Sequence, residues 1–592
     1  MEKNYGYLYN IRGWGEPYFA VNAAGHLCVK PRGSDTVPGD EIDVHSVIME
    51  ATRDPRSKAQ FPMILRFPDV LKHRVDSLHA AFKGAIKGTG YKSRYQGVFP
   101  VKVNQNKAVV QDLVEFGKSE SYGLEAGSKP ELLVAMSCLT KANPEAYLVC
   151  NGYKDADYIA LALSARAMGL NAIIVLEMEE ELDIVVEQSR RLGVEPVLGV
   201  RAKLLTKLPG HFGSTAGKHG KFGMLAEKIY EVAKNLKEKG KLHWLKLLHF
   251  HIGSMVPTTE IVYDAASEAA GIYCDLVNKH GATGMTTLDC GGGLGVDYDG
   301  TRSGSSDMSV AYGLEEYASS IVQAVRLKCG YNHGVPHPVL CTESGRAMVS
   351  HHSMIVLEAL SAIPEPQDEE FTAEQLLSKI LQYLTSKPPT MADGGCLRSH
   401  GADHARHGVE MYKLGKKLSR RAAGDAGTIY NYHMNLSIFS LVPDFWAGAH
   451  GAMGTLVDIT CGSDGKIEKF IGGGETLPLH PLNPELGGYY VAVLVSGAYQ
   501  EALAGKHNLF SGPTLVRVTG GDHGAFAIDS IDMGTTTKEV IGTMRYDVDK
   551  DISSVIQELA KNKGKWPMVE ALLTKGLTTM PYLNEYKTPK TT

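Results

Sequence analysis

Between residues 95 and 343 the chain repeats one unit eight times, and this limits the fold more than any other feature. Each unit is a short β-branched run that ends in a polar residue or glycine and is followed by a helical stretch. The runs are "YQGVFPVK", "SYGLEAG", "AYLVCNG", "NAIIVLE", "EPVLGVR", "LKLLHFHIGS", "MTTLDCGGG" and "HPVLCTESGR". Helical patterns such as "DADYIALALSARAMGL" and "LAEKIYEVAKNLKEKG" separate them. Strands alternating with helices pair in parallel. Eight such units in roughly 250 residues have the size of a closed (β/α)8 TIM-type barrel.

At 592 residues the chain exceeds what one core can hold, so further domains are expected. Residues 1–65 carry short strand-like pieces and form the N-terminal segment of a β domain. Residues 66–355 form the barrel, 363–429 a helical and loop insertion, and 430–592 the C-terminal β domain with a helical tail. The predicted fold is therefore α/β: a barrel, a β-rich domain built from both chain ends, and a helical insertion. The insertion opens with "EFTAEQLLSKILQYL", a helix with a Thr372…Gln375 capping box. Strands are predicted at "MNLSIFSLV", "GTLVDITC", "YYVAVLVSGAY" and "TLVRVTGG".

Composition excludes several classes. The net charge of −5 gives no reason to expect nucleic acid as a partner. No apolar run reaches the ~18 residues that a membrane span requires. Nine scattered cysteines without a C-x-x-C pair argue for reduced thiols, against a disulfide frame or a zinc site. The start "MEKNYGYLYN" carries neither a secretory signal nor a transit segment, so a cytoplasmic location is expected. A plastid remains open if an upstream segment precedes this chain.

The strand ends carry the chemistry. They are Lys102, Glu125, Asn151, Glu177, Arg201, His251, the Gly291–Gly293 run and Glu343. Charged groups are costly to bury in apolar strands, and barrel active sites lie at the C-terminal strand ends. Lys102, in "FPVKVNQ", is flanked by apolar residues whose desolvation would lower its pKa and make it a nucleophile. "DCGGGLGVDYDG" offers glycine amides suited to a phosphate, without the spacing of a dinucleotide fingerprint. "CTESGR" sets Glu343 near Arg346, either as a salt bridge or as a partner for a pyridine nitrogen beside a phosphate ligand. "HFHIGS" supplies two histidines on one side of a strand and then Ser254. A lysine, a carboxylate, a phosphate cradle, an arginine and a ring-stacking histidine together fit pyridoxal phosphate. No metal site emerges. Cys461, in "TCGSDGK", reads on its own either as a core thiol or as a working group.

These motifs closely resemble the biosynthetic arginine decarboxylases, members of the alanine-racemase-like fold-type III group of pyridoxal-phosphate enzymes. The resemblance runs through "GVFPVKVNQ", "YGLEAGSKPELL", "GHFGSTAGKHGKFG", "LLHFHIGS", "DCGGGLGVDYDG", "ESGRAMVSHHS", "NLSIFSLVPDFW", "DITCGSDGKI" and "GAYQEALAGKHNLF". It implies that Lys102 carries the cofactor, His251 stacks on its ring and Glu343 meets the ring nitrogen. It places Ser254, Gly292, Gly293, Gly345, Arg346 and Tyr499 around the phosphate, with Glu125 and Arg201 near the ring. It assigns Asp289, Gly291, Leu294, Gly295, Asp297, Tyr298 and Asp464 to the substrate. It makes Cys461 the thiol that protonates Cα after carbon dioxide leaves, reaching across a homodimer interface.

The implied activity is decarboxylation of L-arginine to agmatine, the first step of polyamine (putrescine and spermidine) synthesis. Mg2+ is a family expectation without a sequence site. The alternatives are a decarboxylase of ornithine, lysine or diaminopimelate, or a non-catalytic regulatory paralogue. Two departures stand out: Gly462 replaces an acid after Cys461, and the stretch 447–453 is short.

Overall fold

The computed structural model describes residues 9–53, 59–140, 143–207, 220–331, 334–364, 430–442, 452–467 and 488–583, with isolated positions between. All eight predicted barrel strands form: β1 (Tyr95–Pro100), β2 (Gly123–Ala126), β3 (Tyr147–Cys150) and β4 (Asn171–Leu176). They continue as β5 (Leu198–Ala202), β6 (Leu245–His251), β7 (Thr287–Gly291) and β8 (Val339–Glu343). Each pairs in parallel with the next, and β8 closes on β1. Their near-continuous burial matches strands covered on both faces.

Local signals set the connecting helices. Ser128 caps Lys129–Leu139 by accepting from the Glu131 N–H, and Asp155 caps Ala156–Ala167 by accepting from the Tyr158 N–H. Gly193, at φ 66°, ends Glu181–Leu192 in the left-handed conformation that costs glycine least. Inside the barrel, Val98, Val149, Ile173, Val175 and Leu247 pack into an apolar plug. Above the plug the strands end in polar residues on one rim.

A second sheet joins the two chain ends. Met63–Arg66 lies between Ser353–Pro364, its antiparallel neighbour, and Thr514–Gly520, its parallel neighbour. Tyr430–Met434, Ala452–Val457 and Lys466–Ile467 extend this sheet on one side, and Phe526–Asp532 on the other. The strand-like pieces nearer the N-terminus, Phe19–Val21, Leu27–Val29 and Ile42–Asp43, form a separate three-stranded antiparallel sheet.

One predicted strand is replaced. Within "MNLSIFSLV", Ile438–Leu441 is a helical turn, and the strand lies just before it at Tyr430–Met434. Asp458 draws the turn inward by accepting from the Ile438 N–H, and Ser437 donates to Ser440. These local bonds outweigh the β-branched and aromatic composition. Thr372 of the Thr372…Gln375 capping box, nearly all of 363–429, the glycine-rich 208–219 and the shortened stretch up to 451 lie outside the described residues. Among the described residues no helix is long and apolar enough to cross a membrane.

Candidate active site

The rim of the barrel opens into a cleft of about 740 Å3. Lys102, Glu125, Asn151, Arg201, His249, His251, Ser254 and Glu343 line it. Lys102 sits in a short 3-10 turn after β1, anchored by the buried Val101 and Val103. Its Nζ donates to Glu125 Oε2 at 3.1 Å. Burial pulls this amine down, but the charges of Glu125 and Glu343 outweigh burial and hold the ammonium above its ordinary range. The lowered pKa expected from the sequence is therefore not the state of this site, because the strand-end carboxylates face the amine.

Glu343 is buried at the end of β8. Its Oε1 accepts from Asn151 Nδ2 at 2.7 Å, and His249 Nδ1 lies 3.7 Å away. Burial, with Asp289 and Glu125 nearby, pushes the carboxyl up to about 8 against the pull of His249. Burial likewise raises Asp289, to about 7. His251 is held well below its ordinary range, first by burial and then by Arg201 and Lys102. Its Nδ1 accepts from the Gly253 N–H at 3.1 Å, which assigns the proton of the neutral ring to Nε2. Arg201 pairs with Glu177 at 2.9 Å and lies over the Phe222 ring.

Beside these groups is a cradle. Arg346 donates through Nε to Ser254 Oγ at 3.3 Å and through a terminal nitrogen to the Tyr298 hydroxyl at 3.0 Å. Its guanidinium lies 4.7 Å from the centre of the Tyr499 ring. Gly292, at φ 70°, has no room for a side chain: a Cβ there would come within 2.5 Å of His251 Nε2. At Gly345 a Cβ would come within 2.4 Å of Val103.

These residues fit pyridoxal phosphate. The amine at the cleft floor meets the need for a carbonyl partner. Glu343 holds a proton that a pyridine nitrogen can take, leaving a carboxylate to face the protonated ring, and the Arg346–Ser254 group beside backbone that excludes Cβ atoms suits a phosphate.

The structure brings Lys102, Glu125, Arg201, His251, Ser254 and Glu343 to one cleft, and Gly292, Gly345, Arg346 and Tyr499 close by. It places Asp289 under the rim within the barrel, 3.2 Å from His249. Asp297 holds its own loop through the Gly300 and Arg302 N–H groups and the Ser309 hydroxyl. Tyr298 faces Arg346, while Gly291, Leu294 and Gly295 are packed. None of these six lines the cleft. Cys461 and Asp464 are exposed on a separate turn, also outside the cleft of their own chain.

Asn151 and His249 enter the site without having been assigned to it. Strand-end position was the signal for the first, and a two-residue offset from His251 for the second. Two groups among the described residues have the makings of metal ligation, His26–Asp43–His45 and His249–Asp289–Glu343. Each contains histidine, whereas Mg2+ prefers oxygen ligands, so the magnesium expectation finds no support in them.

A closed barrel with an amine, a buried carboxyl and an arginine–serine cradle on its rim has the parts of a pyridoxal-phosphate enzyme. The family described as "Pyridoxal-dependent decarboxylase, pyridoxal binding domain" matches residues 73–350. Over its full length the chain is 73% identical to the whole of arginine decarboxylase 2 of Oryza sativa subsp. japonica. It is 68% identical, again over both full lengths, to arginine decarboxylase of Avena sativa. The crystal structure of the biosynthetic arginine decarboxylase of Campylobacter jejuni superposes with a TM-score of 0.76 at 26% identity, covering 98% of this chain and 99% of that one. The chain belongs to the pyridoxal-dependent decarboxylases, in their arginine decarboxylase branch.

Proposed function

We propose that this chain decarboxylates L-arginine to agmatine and carbon dioxide, at the head of polyamine synthesis. The observation that carries this reading is the Lys102–Glu125 and Asn151–Glu343 pairs facing one cleft in a chain so similar to named arginine decarboxylases.

When bound, pyridoxal phosphate supplies the electron sink that accepts the electrons left on Cα as carbon dioxide departs. Lys102 would bind the cofactor through Nζ and yield it to the substrate amine, with Glu125 Oε2 holding the departing ammonium. Arg346, Ser254, Gly292, Gly293 and Tyr499 would hold the phosphate. Glu343, fixed by Asn151, would accept from the protonated ring nitrogen. Neutral His251 would cover one ring face without adding charge.

Cys461 would give a proton to the substrate Cα, and Asp464 would meet the distal guanidinium. Both lie outside the cleft of their own chain, which supports a homodimer in which each copy completes the other's site. At Gly462 a Cβ would lie 3.1 Å from Asp464 Oδ1 and 3.2 Å from the Phe439 ring, which supports Asp464 as the carboxylate that would serve the substrate. The compartment we propose is the cytoplasm, supported by eight free thiols among the described cysteines.

The test is release of labelled carbon dioxide from carboxyl-labelled arginine, ornithine, lysine and diaminopimelate by the purified, pyridoxal-phosphate-loaded protein. Release from arginine with formation of agmatine is expected. Release from another amino acid instead would transfer the activity to that substrate, and release from none would leave a regulatory paralogue.

A further inference from the structure

Cys461 does not stand alone on its turn. Its N–H donates to Asn508 Oδ1 at 3.0 Å, and Asn508 Nδ2 donates to its sulfur at 3.3 Å. His507 Nε2 lies 3.9 Å from the same sulfur. These neighbours are held by backbone that ordinary residues adopt at a cost: Asn508 has φ 53° and Leu509 φ 61°. The His507 ring also packs on Phe439, with centroids 4.7 Å apart. A strained turn that aims an imidazole and an amide at one thiol needs a reason beyond packing, since all three side chains face outward.

A thiol that gives a proton to carbon once per turnover must be recharged once per turnover. Imidazole changes charge in the neutral range, which makes it suited to that transfer. We infer that His507 is the positioning residue that returns the proton to Cys461, while Asn508 steadies the sulfur between the two states. The inference rests on the proposed role of Cys461. The step balances: the S–H bond breaks as Cα gains its proton, leaving a thiolate. The imidazolium Nε2–H then transfers its proton to sulfur, and the neutral imidazole takes one from solvent. The charged groups carried by the surrounding segments are Asp458, Asp464 and Lys466 on the Cys461 turn, Lys506 beside His507, and Glu501 on the preceding helix, where it pairs with Arg66. The Ile438–Leu441 helix carries no charged residue; Phe439 packs its ring on His507, and its carbonyl accepts from the Gly505 N–H. Asp458 is already engaged by Thr460 and the Ile438 N–H, whereas His507 is, among the described residues, an imidazole within 3.9 Å of the sulfur.

The experiment uses the full-length, cofactor-loaded protein and its His507→Gln variant, which keeps a polar group but cannot shuttle a proton. The rate of Cys461 alkylation by iodoacetamide is followed by mass spectrometry of the peptide that carries it, from about pH 6 to about pH 9, across the histidine range. Both profiles should rise as the thiol itself ionises, near ~8.5 for an ordinary cysteine. The wild type should carry a second inflection that His507→Gln lacks, and kcat for arginine should fall about a hundredfold in the variant with KM unchanged. An unchanged alkylation profile and unchanged kcat in His507→Gln would overturn the inference. A Cys461→Ala variant run in parallel separates the two ideas. If it is impaired while His507→Gln behaves as wild type, the relay alone fails. If it turns over normally, the proton-donor role of Cys461 fails instead.

Discussion

Asn151 donates to Glu343 across 2.7 Å between two buried side chains at the ends of strands that are not neighbours in the barrel. The bond engages Oε1 of Glu343 and so orients the carboxyl that would meet a ring nitrogen. Asn151→Ala would leave that carboxyl without its donor, at a cost of ~1–3 kcal/mol for a buried group. The expected outcome is a cofactor Kd weakened by roughly 5- to 150-fold, read by equilibrium dialysis of pyridoxal phosphate. Unaltered affinity would remove Asn151 from the site.

The two raised carboxyls also leave a mark on the cofactor-free protein. Burial lifts Glu343 to about 8 and Asp289 to about 7. In the unfolded chain both titrate near ~4. From about pH 4 to about pH 8 the folded chain therefore binds more protons, and stability falls as pH rises. Buried His351 and His352, each held down to about 3, act the other way below about pH 6.5, where stability rises with pH. Between about pH 6.5 and pH 8 only the carboxyls among these four still titrate. There the Tm of the cofactor-free protein should fall, and that of Glu343→Gln should fall less. Parallel slopes would mean that Glu343 does not carry the proton.

Gly292→Ala tests the cradle. The new Cβ would face His251 Nε2 at 2.5 Å, on backbone at φ 70°. Strain of ~1–3 kcal/mol, or displacement of the histidine, should weaken pyridoxal-phosphate binding by roughly 5- to 150-fold. Ala at Gly84, where nothing lies within 4 Å of the added carbon, is the control and should bind as wild type.

Much of this was legible in the sequence, for physical reasons. Strands covered on both faces must be apolar, so a polar residue that closes each of them is conspicuous, and all eight were found. What escaped were relations across the barrel. No spacing in the chain brings Asn151 to Glu343, or sets Asp289 under the rim against His249. The amine of Lys102 reads as lowered because its apolar flanks are adjacent in sequence, while Glu125, which raises it, is adjacent only in space. At 434–442 composition favoured a strand, but Asp458 supplied the acceptor that turned Ile438–Leu441 into a helix.

Asp464 carries the substrate prediction. With Gly462 beside it, the turn has no second carboxylate for a guanidinium at that position. Loss of one charge from a buried, paired contact costs ~2–5 kcal/mol, and the loss here should approach that range once substrate and partner cover the site. Asp464→Asn should therefore raise KM for arginine by at least tenfold. Its kcat should change far less, because the guanidinium is remote from the bond that breaks. Equal losses in KM and kcat would instead place Asp464 at the reacting atoms.

Shared sites make the sharpest prediction. Lys102 lines the cleft of its own chain, whereas Cys461 does not, so each complete site would draw Lys102 from one copy and Cys461 from the other. Lys102→Ala and Cys461→Ala proteins, each nearly inactive alone, should regain activity when dissociated, mixed and reassociated. With random pairing, half of the dimers are mixed and each carries one intact site, so about a quarter of wild-type activity should return. The gain should appear only under conditions that exchange subunits, and should follow the mixed-dimer fraction measured by native mass spectrometry. If mixing yields only the sum of the two parents, Cys461 does not serve a neighbour's cleft, and the site must be completed from within one chain.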